Sequence, residues 1–317
     1  MAVTLQQAKL NVQDALQLGI IDEFRKSSFL LDNLTFDDAV SPTGGGATLT
    51  YGYTRLITQP TADFRAVNEE YTPSEVQKQR YNVDLKIFGG TFEVDRIIAG
   101  MGGIADEVAL QMSQKVKAAK ALFHDTVING DSAVNAKAFD GLDVALTGSD
   151  TEFNAAGSLI DLSTAEAIKT NGDAFLFMLH KALGKLDGRP TALMGNSDMI
   201  AALEYLAKYQ GRYQETKDGF GNMYATYNGI PLIDLGAKAG SNEPVVGNGD
   251  AGSSLYFARF GMDGFHGVSM AGQAPVKTWL PDFSTAGAVK TGEVEMVAAV
   301  ALKATKAAGV MRKIKVA

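Results

Sequence analysis

Three histidines, His124, His180 and His266, are all the imidazole this 317-residue chain contains. No two lie close in sequence and no His-Glu-x-x-His run is present, so a histidine metal site has no local signature. His124 and His180 fall in segments of helical periodicity, where a histidine is more often a surface or packing residue. The nearest approach to a nucleophile motif is Gly267-Val268-Ser269-Met270-Ala271-Gly272. A hydrolase elbow needs G-x-S-x-G on a strand-to-helix turn, which exposes the serine hydroxyl. Here the closing glycine comes one residue late, and strand-like segments flank the serine. Gly44-Gly45-Gly46 is followed by neither the lysine–hydroxyl pair nor the helix that a phosphate cradle uses, and reads as a hinge. The segment from Asp218 to Asn222 opens like a calcium loop, but Gly229 stands where the closing glutamate belongs. The neighbours Asp22-Glu23, Asp37-Asp38 and Glu69-Glu70 diverge in either regular structure. They read as solvated faces or intersubunit ion pairs rather than acid/base dyads. Cysteine is absent, which removes thiolate catalysis, disulfides and zinc–thiolate sites together. The chain therefore reads as a non-enzyme, with no catalytic residue, cofactor or metal to assign.

Without a reacting group, the elements carry the information. Residues 3–26 have the periodicity of an amphipathic helix, with Leu5, Ala8, Val12, Ala15 and Leu16 at spacings of three and four. The pattern dissolves from Leu30 to Pro42, and the triple glycine follows. Two runs of strand character come next, Thr48 to Ile57 and Tyr81 to Phe88, separated by Pro60, Pro73 and dense charge. They predict a long two-stranded ribbon with a polar tip, ended by Gly89-Gly90. Such a ribbon has little core of its own. Segment 1–88 is accordingly expected to borrow its hydrophobic interior from adjacent copies.

The strongest helical signal spans about 102–129, with its apolar stripe at Ile104, Val108, Met112, Val116, Ala119, Phe123 and Val127. Asp106 and Glu107 begin it, Lys115, Lys117, Lys120 and His124 occupy later turns, and Asn129-Gly130 stops it, in agreement with the helix dipole. At the usual rise per residue it is roughly 40 Å long. Residues 131–162 read as loops with short strands, including Phe139 to Leu142. A helix is expected from Thr164 to Leu186 and a buried strand from Pro190 to Met194. Asn196 or Ser197 then caps a helix reaching about Tyr209. A Gly- and Tyr-rich loop from Gly211 leads to the strand at Ile230 to Ile233. The remainder returns to strands: SLYFARF, FHGVSM, VKTWL, Thr291 to Ala304, and a closing VMRKIKV.

Composition sets outer limits. The chain is 46 % apolar, enough for a sizeable core, and no run approaches the ~18 apolar residues of a membrane span. The N-terminus lacks the basic start and apolar centre of a secretory signal. Thirty-six acidic against 29 basic residues leave a net charge of −7, a poor basis for gripping phosphates. Glycine, at 34 residues, is about one and a half times as frequent as the ~7 % average, which suits ribbons and close backbone contacts.

The order of elements resembles the tailed-bacteriophage major capsid family. YNVDLKIFGGTFEVDRIIA runs directly into GGIADEVALQMSQKVKAAKALFHDTVINGD, similar to that family's ribbon and spine helix. VINGD followed by AFDGL is similar to its turn after the spine. TALMGNSDMIAAL and TYNGIPLIDLG resemble its axial strands and helix, and GEVEMVAAVALKATKAAGVMRKIKV its closing strands. The resemblance covers nearly the whole chain, and its strength lies in the order of motifs. It implies an α+β fold: an N-terminal arm (1–43), an extended β-hairpin loop (44–88) and a peripheral domain with the spine helix (89–160). A mixed α/β axial domain (161–262), returning peripheral strands (263–297) and a closing axial segment (298–317) follow. It implies a structural protein of a virion, assembled in a host cytoplasm into hexamers and pentamers of an icosahedral shell. That shell would enclose double-stranded DNA without sequence-specific binding and without membrane contact. Implied partners are further copies of itself, a portal and decoration proteins. With only a short arm before the ribbon, any scaffold is expected to be a separate protein. Arg55, Arg65, Glu69, Glu70, Lys78 and Arg80 on the ribbon are the candidate intersubunit contacts. An encapsulin-like nanocompartment shell is the alternative reading, and a serine hydrolase using Ser269 the lesser one.

Overall fold

Strand pairing between distant parts of the chain organises the molecule. The computed structural model describes residues 29–40, 48–58, 60–101, 106–211, 214–217, 223–241, 243–272 and 276–317. The expected helix at 3–26 and the glycine hinge at 44–46 lie outside the described residues.

The order is α1 (Phe29–Asn33), β1 (Phe36–Val40), β2 (Thr50–Leu56), β3 (Lys78–Asp84), β4 (Lys86–Asp95), α2 (Arg96–Ala99) and the long α3 (Glu107–Asn129). Then come α4 (Leu142–Leu146), β5 (Glu152–Phe153), β6 (Ile160–Asp161), α5 (Ala165–Gly184), β7 (Ala192–Gly195) and α6 (Ser197–Tyr209). Strands β8 (Gln214–Lys217), β9 (Met223–Tyr227), β10 (Ile230–Asp234), β11 (Ser253–Ala258), β12 (Phe265–Met270), β13 (Val276–Trp279), β14 (Val289–Leu302) and β15 (Ala308–Lys315) complete it.

Two sheets form the frame. One joins β1, β12, β14 and β13, with β4 also on β14; the other runs β5-β15-β11-β7-β10-β9-β8, with β6 also on β15. β14 is the spine of the first. Its first ten residues pair with β4, and its end, from Ala298 to Leu302, pairs with β12. Burial alternates at Val294, Met296 and Ala298 and then becomes continuous to Leu302, because the strand passes from a half-covered position to one covered on both faces. The small-residue run AAVAL fits that crowding. In the second sheet β7 is central and wholly buried. Leu193 faces α5 and α6, while Ala192 and Met194 face the main core shared with α3 and β14. Asn196 caps α6, its side chain accepting from the Met199 amide at 2.8 Å.

Helix α3 begins at Asp106, whose carboxylate accepts from the Val108 amide at 3.0 Å. Its second half buries Ala119, Phe123 and Val127 of the expected stripe, and also Ala121, His124 and Ile128. Gly130 ends it with an extended backbone, and a Cβ there would lie 2.2 Å from the Phe139 carbonyl and 2.5 Å from that of Thr126. The chain then folds back so that the Gly141 amide donates to the Gly130 carbonyl at 2.8 Å. The glycine is required by the close approach, rather than by a left-handed turn.

Five expectations need correction. Gly89-Gly90 does not end the ribbon: the pair lies inside β4, opposite Glu295 and Val294. β1 forms where no strand was expected, because Phe36-Asp37-Asp38 has weak strand propensity and gains its partner only from β12. Leu142 begins a short helix, and the expected loop after Gly211 contains the antiparallel pair β8–β9. Segment 1–88 was expected to lack an interior of its own, yet Phe29, Leu30 and Leu34 join the main core and Val40, Tyr51 and Leu85 pack with Val268 and Ala301.

Candidate assembly interface

The ribbon leaves the body as two strands in strict register, from Thr50 opposite Asp84 to Leu56 opposite Lys78. Alternation puts Tyr51, Tyr53 and Arg55 on one face, and that face lies against the body. The Tyr51 hydroxyl donates to Asp37 Oδ2 at 2.7 Å, and the Tyr53 hydroxyl to the Leu302 carbonyl at 3.0 Å. Arg55 Nε donates to the Lys303 carbonyl at 2.8 Å, its Nη2 donates to the Leu302 carbonyl, and its guanidinium lies 4.3 Å from the centre of the Tyr81 ring. Tyr53 and Tyr81 stack at 5.8 Å. Burial pushes the hydroxyl pKa of both Tyr51 and Tyr53 up, with Asp37 adding to the effect at Tyr51. Both phenols therefore stay protonated and keep donating.

Beyond the root the character changes. Every described residue from 56 to 80 is exposed. Among the described residues the tip is tied by local contacts: the Ile57 amide to the Gln77 carbonyl at 2.8 Å, the Thr61 amide to Ser74 Oγ at 3.0 Å, and the Ala66 amide to Glu69 Oε2 at 3.3 Å. Phe64 is fully exposed, Val67 is 87 % exposed and Tyr71 61 %. A loop that carries three large apolar side chains into solvent from the end of a strand pair is what a binding surface looks like.

The six ribbon charges are therefore not equivalent. Arg55 is spent on the body. Arg65 and Glu69 fold onto the tip itself: Arg65 Nη1 donates to the Glu69 carbonyl at 3.2 Å, and its guanidinium sits 5.4 Å from the Tyr71 ring. Arg80 lies across Gly52, where a Cβ would meet its Nη2 at 2.8 Å. Glu70 and Lys78 are exposed. Sequence reasoning missed Phe64, Val67 and Tyr71, which stand within FRAVNEEY and were masked by the surrounding charge. It also missed the Tyr51–Tyr53–Arg55 clasp, although the period-two spacing of YGYTR signals it.

Ser269 is buried mid-strand, paired with Ala298, and three residues from His266, so the two side chains leave opposite faces of β12. That is not the geometry of a nucleophile and its base. Among the described residues no three His, Asp or Glu side chains converge as a metal set, and no helix is long and apolar enough to cross a membrane.

No family model and no curated protein matches the chain. Solved structures do. The SrpI encapsulin complex of Synechococcus elongatus PCC 7942 superposes with a TM-score of 0.66 at 13 % identity, over 100 % of this chain and 97 % of its own. The capsid of a native GTA particle gives 0.59 at 13 % identity, over 98 % of each chain. A chain of Mycobacterium phage Bobi gives 0.60 at 13 % identity, over 98 % of this chain and 99 % of its own. The likeness spans each chain end to end, so what is shared is the architecture as a whole. This chain has the tailed-phage major capsid fold, an α+β fold built on a spine helix and an extended hairpin.

Proposed function

We propose that this chain is a structural shell subunit: a major capsid protein that assembles into hexamers and pentamers of an icosahedral phage head enclosing double-stranded DNA. The observation that carries the reading is the ribbon. Its root is fastened to its own body by three side chains, while its tip presents Phe64, Val67 and Tyr71 to solvent. A neighbouring copy that covers the tip supplies the missing interior, and closed symmetry repeats that contact around the shell. Single ion pairs from Glu70, Lys78 or Arg80 add only about 0–1 kcal/mol each, so the apolar tip dominates. A net charge of −7 gives the chain as a whole little attraction for packaged DNA. On this reading the protein resides in the virion, and its partners are further copies, a portal and decoration proteins.

A nanocompartment shell is the second reading, favoured by the higher TM-score to the encapsulin, 0.66 against 0.59 for the GTA capsid. Negative-stain imaging of the purified full-length chain tests both: particles are expected, and a monomer at every concentration defeats both. Nuclease-protected DNA inside particles recovered from their native source supports the phage head. A single enclosed protein species instead supports the compartment.

A further inference from the structure

His266 is fully buried in β12, and neither ring nitrogen makes a hydrogen bond of normal geometry, the Gly264 backbone exerting only a minor pull. A buried imidazole without good hydrogen bonds is costly when neutral and far more so when charged, and this one sits beneath the ribbon root. Tyr51 of β2 meets it edge-on, ring centres 5.8 Å apart. Asp37 of β1 is the acidic neighbour, but its Oδ2 already accepts from Tyr51 and lies 3.8 Å from Lys303 Nζ. Lys303, just past β14, also lies 5.4 Å from the centre of the Tyr51 ring. A proton on His266 would thus place a second positive charge beside Lys303, where the neighbouring Asp37 carboxylate is already engaged. The charge can be relieved by drawing Asp37 away from Tyr51 or by admitting water, and either breaks the clasp.

We propose that His266 is an acid-sensitive latch whose protonation releases the β2–β3 ribbon from its own body. Burial and then Lys303 hold the ring below its ordinary pKa, against the opposing pull of Asp37 and the Gly264 backbone. The closed root therefore binds the proton more weakly than the open one, and acid favours opening, beginning near the ordinary histidine value. The latch belongs to the isolated chain and does not depend on the shell reading.

The test is hydrogen–deuterium exchange of the full-length protein from about pH 7.5 to about pH 5, with protection corrected for the intrinsic pH dependence of exchange. In the wild type, protection of amides in Thr50–Leu56 is expected to fall up to about tenfold per pH unit below roughly 6.5, as one proton is taken up on opening. His266→Phe, which keeps a ring in the site and cannot titrate, is expected to give a flat profile. His266→Gln replaces it if circular dichroism shows that the phenylalanine variant is unfolded. His124→Leu is expected to keep the wild-type response. A flat wild-type profile, or an equally steep one in the non-titrating variant, overturns the proposal.

Discussion

Replacing both Phe64 and Val67 by serine separates assembly from folding. Phe64 is fully exposed and Val67 87 % exposed, so neither side chain holds its own subunit together. Covering each against a neighbour is worth about 1.5–3 kcal/mol. Ordering them costs about 0.5–1.5 kcal/mol apiece, which leaves about 2–3 kcal/mol for the pair at each contact. At 1.4 kcal/mol per factor of ten, that is about 30- to 140-fold in the affinity of one subunit for the next. The fold itself should change by no more than about 0.5 kcal/mol, the usual range for exposed substitutions. Sedimentation velocity and negative-stain imaging read the first effect, and thermal denaturation of the unassembled chain reads the second. F64S/V67S assembling at the wild-type concentration would refute the claim that the apolar tip drives association. A melting temperature lowered by many degrees would refute the claim that the tip packs on nothing in its own chain.

Neighbouring glycines should respond differently to alanine. A Cβ on Gly89 would stand 1.9 Å from the Val294 carbonyl oxygen, whereas on Gly90 it meets only the Lys115 side chain at 3.6 Å. Gly89→Ala is expected to cost at least the roughly 1–3 kcal/mol of overpacking and Gly90→Ala far less, read from urea midpoints. Arg312 of β15 holds Asp143 at 2.6 Å and also pairs with Glu152 and donates to Thr147. Arg312→Ala strands two partly buried carboxylates and should cost about 2–3 kcal/mol, somewhat below the ~3–5 of full burial, by thermal denaturation. Arg312→Lys should recover only part of the loss, because an ammonium cannot reproduce the fork. His124, buried on α3 between Asp32 and Lys120, is held down to about 4 by burial, with Lys120 a smaller cause and Asp32 opposing. Its folded value lies below its unfolded one, so its contribution is complete above about pH 6.5 and is lost as pH falls toward 4. Between pH 7 and 5 the wild type should lose about 2 kcal/mol more stability than His124→Leu in urea melts; equal losses would contradict that assignment.

What the sequence alone could settle was whatever repeats locally. The stripe Ala119, Phe123, Val127 placed the long helix, Asn196 placed the start of α6, and Tyr51, Tyr53 and Arg55 alternated as a strand must. Their spacing follows from 3.6- and 2-residue periods that any chain obeys, and their order pointed to the fold. Only tertiary structure decided where partners from far away meet. β1 exists because β12 runs beside it, and Gly89 is a pairing residue because Glu295 is opposite. Arg55 became an anchor on its own body when Leu302 and Lys303 came within reach of its guanidinium. The tip's exposure was hidden for the same reason. Phe64 and Val67 are apolar residues like those of the core, and only the absence of packed chain around them distinguishes a surface from an interior.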